Sequence, residues 1–144
     1  MRGHQSEEET VSMQPKVIEA WHAIVKSRDV KALSSLLHAD SIFWSPILHT
    51  PQRGRNMVML YLGGAMQVIG NDHFRYVREI VGDRDACLEF ESEIDGIVIN
   101  GVDLIRWDDS GQIVDFKVLL RPLKGMTKVQ EHMAALLSSA GKQK

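Results

Sequence analysis

The spacing of apolar residues changes period near the middle of the chain. From Val17 to Ile69 they recur every three or four positions, from Phe74 to Leu120 every second position, and from Val129 to Leu137 every three or four again. The first regime predicts helices. Val17, Ile18, Trp21, Ile24 and Val25 make one amphipathic face, with Pro15 as a first-turn residue. Asp29 can cap a shorter helix whose face is Val30, Leu33, Leu36 and Leu37, closed by Ala39-Asp40. Ser41–Trp44 reads as a short extended segment ended by Pro46, and 47–53 as a loop. Gly54 opens a third helix with Met57, Val58, Tyr61, Leu62, Ala65, Met66 and Ile69 on one face. Gly63-Gly64 in its middle weakens that helix, which points to close packing or a bend there.

The second regime predicts strands. Phe74, Tyr76, Arg78 and Ile80 alternate with Arg75, Val77, Glu79 and Val81. In Cys87–Ile94 the alternation sets Leu88, Phe90, Ser92 and Ile94 against Glu89, Glu91 and Glu93. Asp95-Gly96 is a hairpin signal. Val102–Trp107 and Ile113–Leu120 form a further pair joined by Asp108-Asp109-Ser110-Gly111. A last helix follows Gly125-Met126-Thr127, with Val129, Met133, Leu136 and Leu137 as its face. Helices, then an antiparallel meander, then a helix make an α+β plan, with helices on one face of a sheet. Asp103 is the residue out of character. It stands among Val102, Leu104, Ile105 and Trp107, and a carboxyl facing into such a wall must protonate or find a partner.

The totals narrow the partners. A length of 144 residues suits one domain, here 14–138, with a disordered lead-in over 1–13 and a frayed tail over 139–144. Seventeen basic against 19 acidic residues leave a net charge of −2, with no global attraction for nucleic acid. No apolar run is long enough for a membrane span, and the first residues, MRGHQSEEET, lack the apolar segment of a secretory signal, so a cytoplasmic location is expected. Cys87 is the single cysteine and reads as a small buried hydrophobe. No His or carboxylate grouping has metal-ligand spacing, and neither metal nor cofactor is expected.

Three runs carry a resemblance: EAWHAIVKSRDVKALSSLLHADSIFWSP (19–46), RGRNMVMLYL (53–62) and DLIRWDDSGQIVDFKVLL (103–120). Together they resemble the nuclear-transport-factor-2-like superfamily, in its SnoaL-like and ketosteroid-isomerase-like branch. The resemblance implies a cone-shaped, cystatin-like roll: N-terminal helices packed on a curved antiparallel sheet around an apolar pocket. It also implies a homodimer formed through the sheet, in which the glutamates of the outer face would need basic partners such as Lys117 and Arg121. The isomerases of that branch use a helix tyrosine, a base aspartate before a proline and a protonated strand aspartate. The third matches Asp103, whereas the first two positions fall on Trp21 and Ser45. A serine does not abstract a carbon-bound proton unaided, so the resemblance argues against standard steroid isomerisation.

The candidate acid–base residues are therefore Asp103, His49 in the loop after Pro46, His73 at the start of the first long strand, and Tyr61 as a proton donor. His22 and His38 read as packing or surface residues. Trp21, Trp44, Ser45, Phe90, Ile105, Phe116, Val118 and Leu120 are the candidate ligand-binding residues. The ligand expected is a small apolar molecule bearing a carbonyl. The expected chemistry is proton transfer at carbon, of the isomerase or lyase type, without a metal. A non-catalytic dimerisation or protein-binding module on the same scaffold is the alternative.

Overall fold

The fold was analysed in a computed structural model that describes residues 14–142. The lead-in over 1–13 and the last two residues lie outside the described part.

Helix α1 (Lys16–Ser27) buries Val17, Ile18, Trp21 and Ile24. It ends on Arg28, whose backbone is left-handed (φ 59°, ψ 26°) and whose N–H bonds to the Ile24 carbonyl at 2.8 Å. A 3-10 turn (Val30–Ala32) leads into the single turn of α2 (Leu33–Leu36). Strand β1 (Leu37–Trp44) begins immediately afterwards. The helix therefore does not reach Ala39-Asp40. Leu37 is fully buried opposite Ile113 and is recruited into the sheet, and tertiary pairing prevails over the local helical pattern. A short strand β2 (Gln52–Arg53) folds back on β1 within the segment read as loop.

Helix α3 (Arg55–Ile69) starts at Gly54, which adopts a φ of 92° that a side chain would strain. Gly63 and Gly64 are places of close approach. A Cβ on Gly63 would stand 2.9 Å from a Val30 methyl, and one on Gly64 would stand 3.1 Å from the end of Met133. Strands β3 (Arg75–Val81), β4 (Asp85–Ile94), β5 (Ile97–Trp107) and β6 (Ile113–Arg121) form the meander. Asp95 and Gly96 both take positive φ (52° and 79°), as a two-residue hairpin of the primed type requires. Helix α4 (Leu123–Lys142) opens two residues before Gly125, and its backbone is helical through 139–142, where the sequence predicts a frayed tail.

The six strands lie in the order β2-β1-β6-β5-β4-β3. All neighbours are antiparallel except β1 and β6, which run parallel, so the curved sheet is mixed. Its inner face buries Leu88, Phe90, Ile99, Ile105, Phe116 and Val118 beneath the helices. Its outer face is polar in part. Arg75 pairs with Glu91 and Arg78 with Glu89 across the β3–β4 ladder, at 2.6 and 2.9 Å. Within the chain, these neighbours pair with two glutamates of the outer face. Lys117 lies over the Trp44 ring at 5.0 Å and Arg121 donates to Asn100. Among the described residues no helix is long and apolar enough to cross a membrane.

Candidate functional site

Asp103 sits at the middle of β5, between Leu88 of β4 and Val118 of β6, with its side chain on the inner face. Only 6% of it is exposed. Tyr76 of β3 faces the same way, because Phe74, Tyr76, Phe90 and Asp103 share the inward parity of their strands. The two meet across β4: the Tyr76 hydroxyl donates to Asp103 Oδ2 at 2.5 Å. Trp21, reaching down from α1, donates its indole Nε1–H to the Tyr76 oxygen at 2.8 Å.

An indole N–H only donates, so the Tyr76 oxygen accepts there, while its own proton is given to Asp103 Oδ2. Oδ2 is thus committed as an acceptor. When Asp103 is protonated, its proton belongs on Oδ1. Burial raises the Asp103 carboxyl to about 7, against the Tyr76 hydrogen bond, which lowers it. Burial, followed by the charge of Asp103, pushes the Tyr76 phenol well above its ordinary range, so Tyr76 keeps its proton near neutrality.

The relay forms part of the wall of a cavity of about 290 Å³ between α1, α3 and the sheet. That volume is at the low end for ligand sites and suits a molecule of one or two rings. The walls are apolar: Val25, Val30, Leu62, Ala65, Met66 and Val118, with Phe74 stacked on Phe90 at 5.1 Å. Gly101 makes room for this aromatic pair, since a Cβ there would stand 2.6 Å from the Phe90 ring. Asn71 also faces the cavity, but its amide is saturated. It donates to the Glu93 and Val68 carbonyls and accepts from His73 N–H, while the Ser92 hydroxyl beside it gives its proton to the Ile69 carbonyl. Among the described residues, Asp103 is the only carboxyl lining the cavity, and no histidine lines it.

The structure thus brings Asp103, Trp21, Phe90 and Val118 together at one cavity. It sends other predicted residues elsewhere. His49 is exposed in the loop after Pro46. His73 is exposed on the rim of a separate depression beside Asp95 and His132. Tyr61 is half-buried against the core, off the line of α3 residues that faces the cavity. Trp44 is on the outer face of the sheet, bonded through Nε1 to Asp115 at 2.8 Å. Ser45 accepts the Ile47 and Leu48 N–H groups and caps its own turn. Phe116 is buried behind Trp21 with ring centroids 4.9 Å apart, and Ile105 and Leu120 belong to the packed core. No grouping of three or more potential metal ligands occurs among the described residues.

Tyr76 is the residue that sequence reasoning missed. Its signal was present: of the two tyrosines, it alone lies in a strand, in parity with Phe74. What was lacking was the knowledge that β3 and β5 flank the same strand, which pairing alone reveals.

A helix-covered, curved sheet with one buried carboxyl at an apolar pocket defines the class: a nuclear-transport-factor-2-like fold. The SnoaL-like domain family matches residues 18–116, more than half of the chain, and the protein belongs to that family. Among solved structures, the chain is similar to a steroid Δ-isomerase from Pseudomonas aeruginosa, with 35% identity over 87% of this chain and 91% of that one and a TM-score of 0.82. It is also similar to an uncharacterised bacterial protein with a cystatin-like fold from Silicibacter pomeroyi, with 31% identity, 90% of each chain covered and a TM-score of 0.82. An NTF2-like protein from Mesorhizobium loti shares the fold at 17% identity, covering 74% of this chain and 89% of that one with a TM-score of 0.65. No curated protein matches the chain.

Proposed function

We propose that this protein binds a small, largely apolar, carbonyl-bearing molecule in the cavity, with protonated Asp103 donating from Oδ1 to the carbonyl oxygen. The observation that carries this reading is the buried Asp103, held by Tyr76 on one oxygen and opening onto the cavity. A neutral acid in an apolar wall is a strong donor to an oxygen that gains charge during enolisation. The likeness to a steroid isomerase supports carbonyl chemistry.

Any turnover is acid–base proton transfer at carbon, of the isomerase, dehydratase or cyclase type. Asp103 is the acid of such a step, donating to the oxygen that gains charge; the base aspartate of standard steroid isomerisation has no counterpart among the described cavity-lining residues, so the carbon-bound proton would pass to water. The chain's single cysteine suits a reducing, cytoplasmic setting. No cofactor or metal enters this reading.

Calorimetric titration of a neutral bicyclic enone tests it. Asp103→Leu should abolish binding. Asp103→Asn should retain it, because the amide oxygen can accept from Tyr76 while its NH2 group donates into the cavity. Equal affinity for wild type and Asp103→Leu would remove Asp103 from the ligand site.

A second feature favours self-association. Ile80, Val98 and Leu119 are 63%, 59% and 50% exposed on the outer face of the sheet. A homodimer through that face would cover them, in support of the scaffold's use as an association module.

A further inference from the structure

Besides Asp103, the cavity is lined by two polar side chains from where α1 and α3 finish, Arg28 and Gln67. The cavity walls Val25, Arg28, Gly70, Asn71, Phe74 and Tyr76 continue into a surface groove that adds His22, Lys26, Asp72 and Arg75. The chain as a whole is acidic, yet this groove brings Lys26, Arg28 and Arg75 together against one lining carboxylate, Asp72. Arg75 is occupied by Glu91, and His22 by Glu79 at 2.6 Å. Lys26 makes no ion pair among the described residues. Arg28 pairs with Asp72 at 2.7 Å, but the two side chains are 55% and 92% exposed. A pair so open to water is weak and readily exchanged for another anion.

Arg28 is also held in an unusual backbone. It ends α1 in the left-handed conformation, where glycine is the least strained choice. The resulting turn leaves Arg28 lining both the cavity and the groove.

The geometry points to an amphiphilic ligand: a carbonyl at the Asp103 end, an apolar body of one or two rings, and a carboxylate or similar oxyanion at the outer end, received by Arg28 with Lys26 beside it. This inference rests on the reading of Asp103 above and adds the second recognition point. The anion displaces Asp72 from Arg28, while Gln67 is placed to donate a hydrogen bond. Cations grouped at the mouth of a low-dielectric cavity also raise the local concentration of anionic ligands.

The test compares a β-tetralone bearing a carboxylate on its aromatic ring with the methyl ester of the same compound, by calorimetric titration. The acid should bind wild type about ten-fold more tightly than the ester, the size of one charge-assisted hydrogen bond. That advantage should shrink at high salt. Arg28→Gln should remove it without altering ester affinity, and Lys26→Gln should reduce it. Asp72→Asn, which frees Arg28, should enlarge it. Asp103→Leu should weaken both compounds alike. If acid and ester bind wild type equally, with binding still dependent on Asp103, the inference is overturned and the carbonyl reading stands. If neither compound binds, both fall. If Asp72→Asn weakens acid and ester together, the Arg28–Asp72 pair serves as a structural latch and the anion site is rejected.

Discussion

Tyr76 of β3 and Asp103 of β5 are joined across an intervening strand by a 2.5 Å hydrogen bond, with the phenol donating to Oδ2. Its partner contact, from Trp21 to the same phenol oxygen, fixes which carboxyl oxygen remains for a ligand.

The affinity for a neutral carbonyl ligand should depend on pH in wild type. Binding requires the proton on Oδ1, so affinity should be level well below pH 7 and fall as Asp103 ionises through about 7. Asp103→Asn should give a flat profile. Titrations from acid to mildly alkaline pH read this directly, and identical profiles for the two proteins would show that the acid form is not the one that binds.

Stability should carry the same signature. The folded protein holds the Asp103 proton up to about 7, whereas the unfolded chain loses it in the ordinary carboxylate range. Between those values the folded state binds more protons, so a rise in pH costs stability. The contribution is fully present below the unfolded value and lost as pH passes the folded one. A gap of roughly three pH units corresponds to at most about 4 kcal/mol. In urea melts, the stability of wild type relative to Asp103→Asn should decline from about pH 4 to above pH 7. A constant difference would mean that Asp103 is not held neutral by the fold.

Tyr76→Phe should act at two atoms. It removes the donor that lowers the Asp103 titration and the acceptor of the Trp21 indole. The midpoint of the pH-dependent binding should therefore move up. A loss of about 1–3 kcal/mol in stability should accompany it, as for a buried donor left without a partner. A midpoint moving down would contradict the relay.

Two glycine substitutions should separate backbone crowding from side-chain crowding. Gly101→Ala would press a methyl against the Leu119 carbonyl and place it 2.6 Å from the Phe90 ring. It should cost about 1–3 kcal/mol or more and push Phe90 towards the cavity, weakening ligand binding. Gly64→Ala meets only side-chain ends, that of Met133 at 3.1 Å and a Leu136 methyl at 3.4 Å. A helix-propensity gain of about 1 kcal/mol offsets those contacts, and its melting temperature should stay near wild type.

The dimer proposed through the outer sheet face should depend on its exposed apolar residues. Ile80→Lys, with Ile80 63% exposed, should leave the melting temperature unchanged. Analytical ultracentrifugation should show wild type as a dimer and the variant as a monomer. Identical masses would place any interface elsewhere.

The sequence by itself determined the elements and their faces. The change in hydrophobic period located the helices and the meander. Asp95-Gly96 and Gly111 marked turns whose positive φ only a few residues tolerate. The isolated carboxyl of Asp103 marked the inner wall. These are local properties, set by backbone sterics and by which side of an element must leave water. Tertiary structure decided what meets what. Leu37 entered a parallel pairing with Ile113, 76 positions away, and shortened a helix the local pattern favoured. Tyr76 rather than Tyr61 reached Asp103, because strand order placed β3 and β5 on either side of β4. His49 and His73, plausible by proximity along the chain, were left in solvent. Hydrogen-bond partners and the proton they share depend on distances between elements far apart in sequence, and those distances are fixed only once the whole sheet has closed over its core.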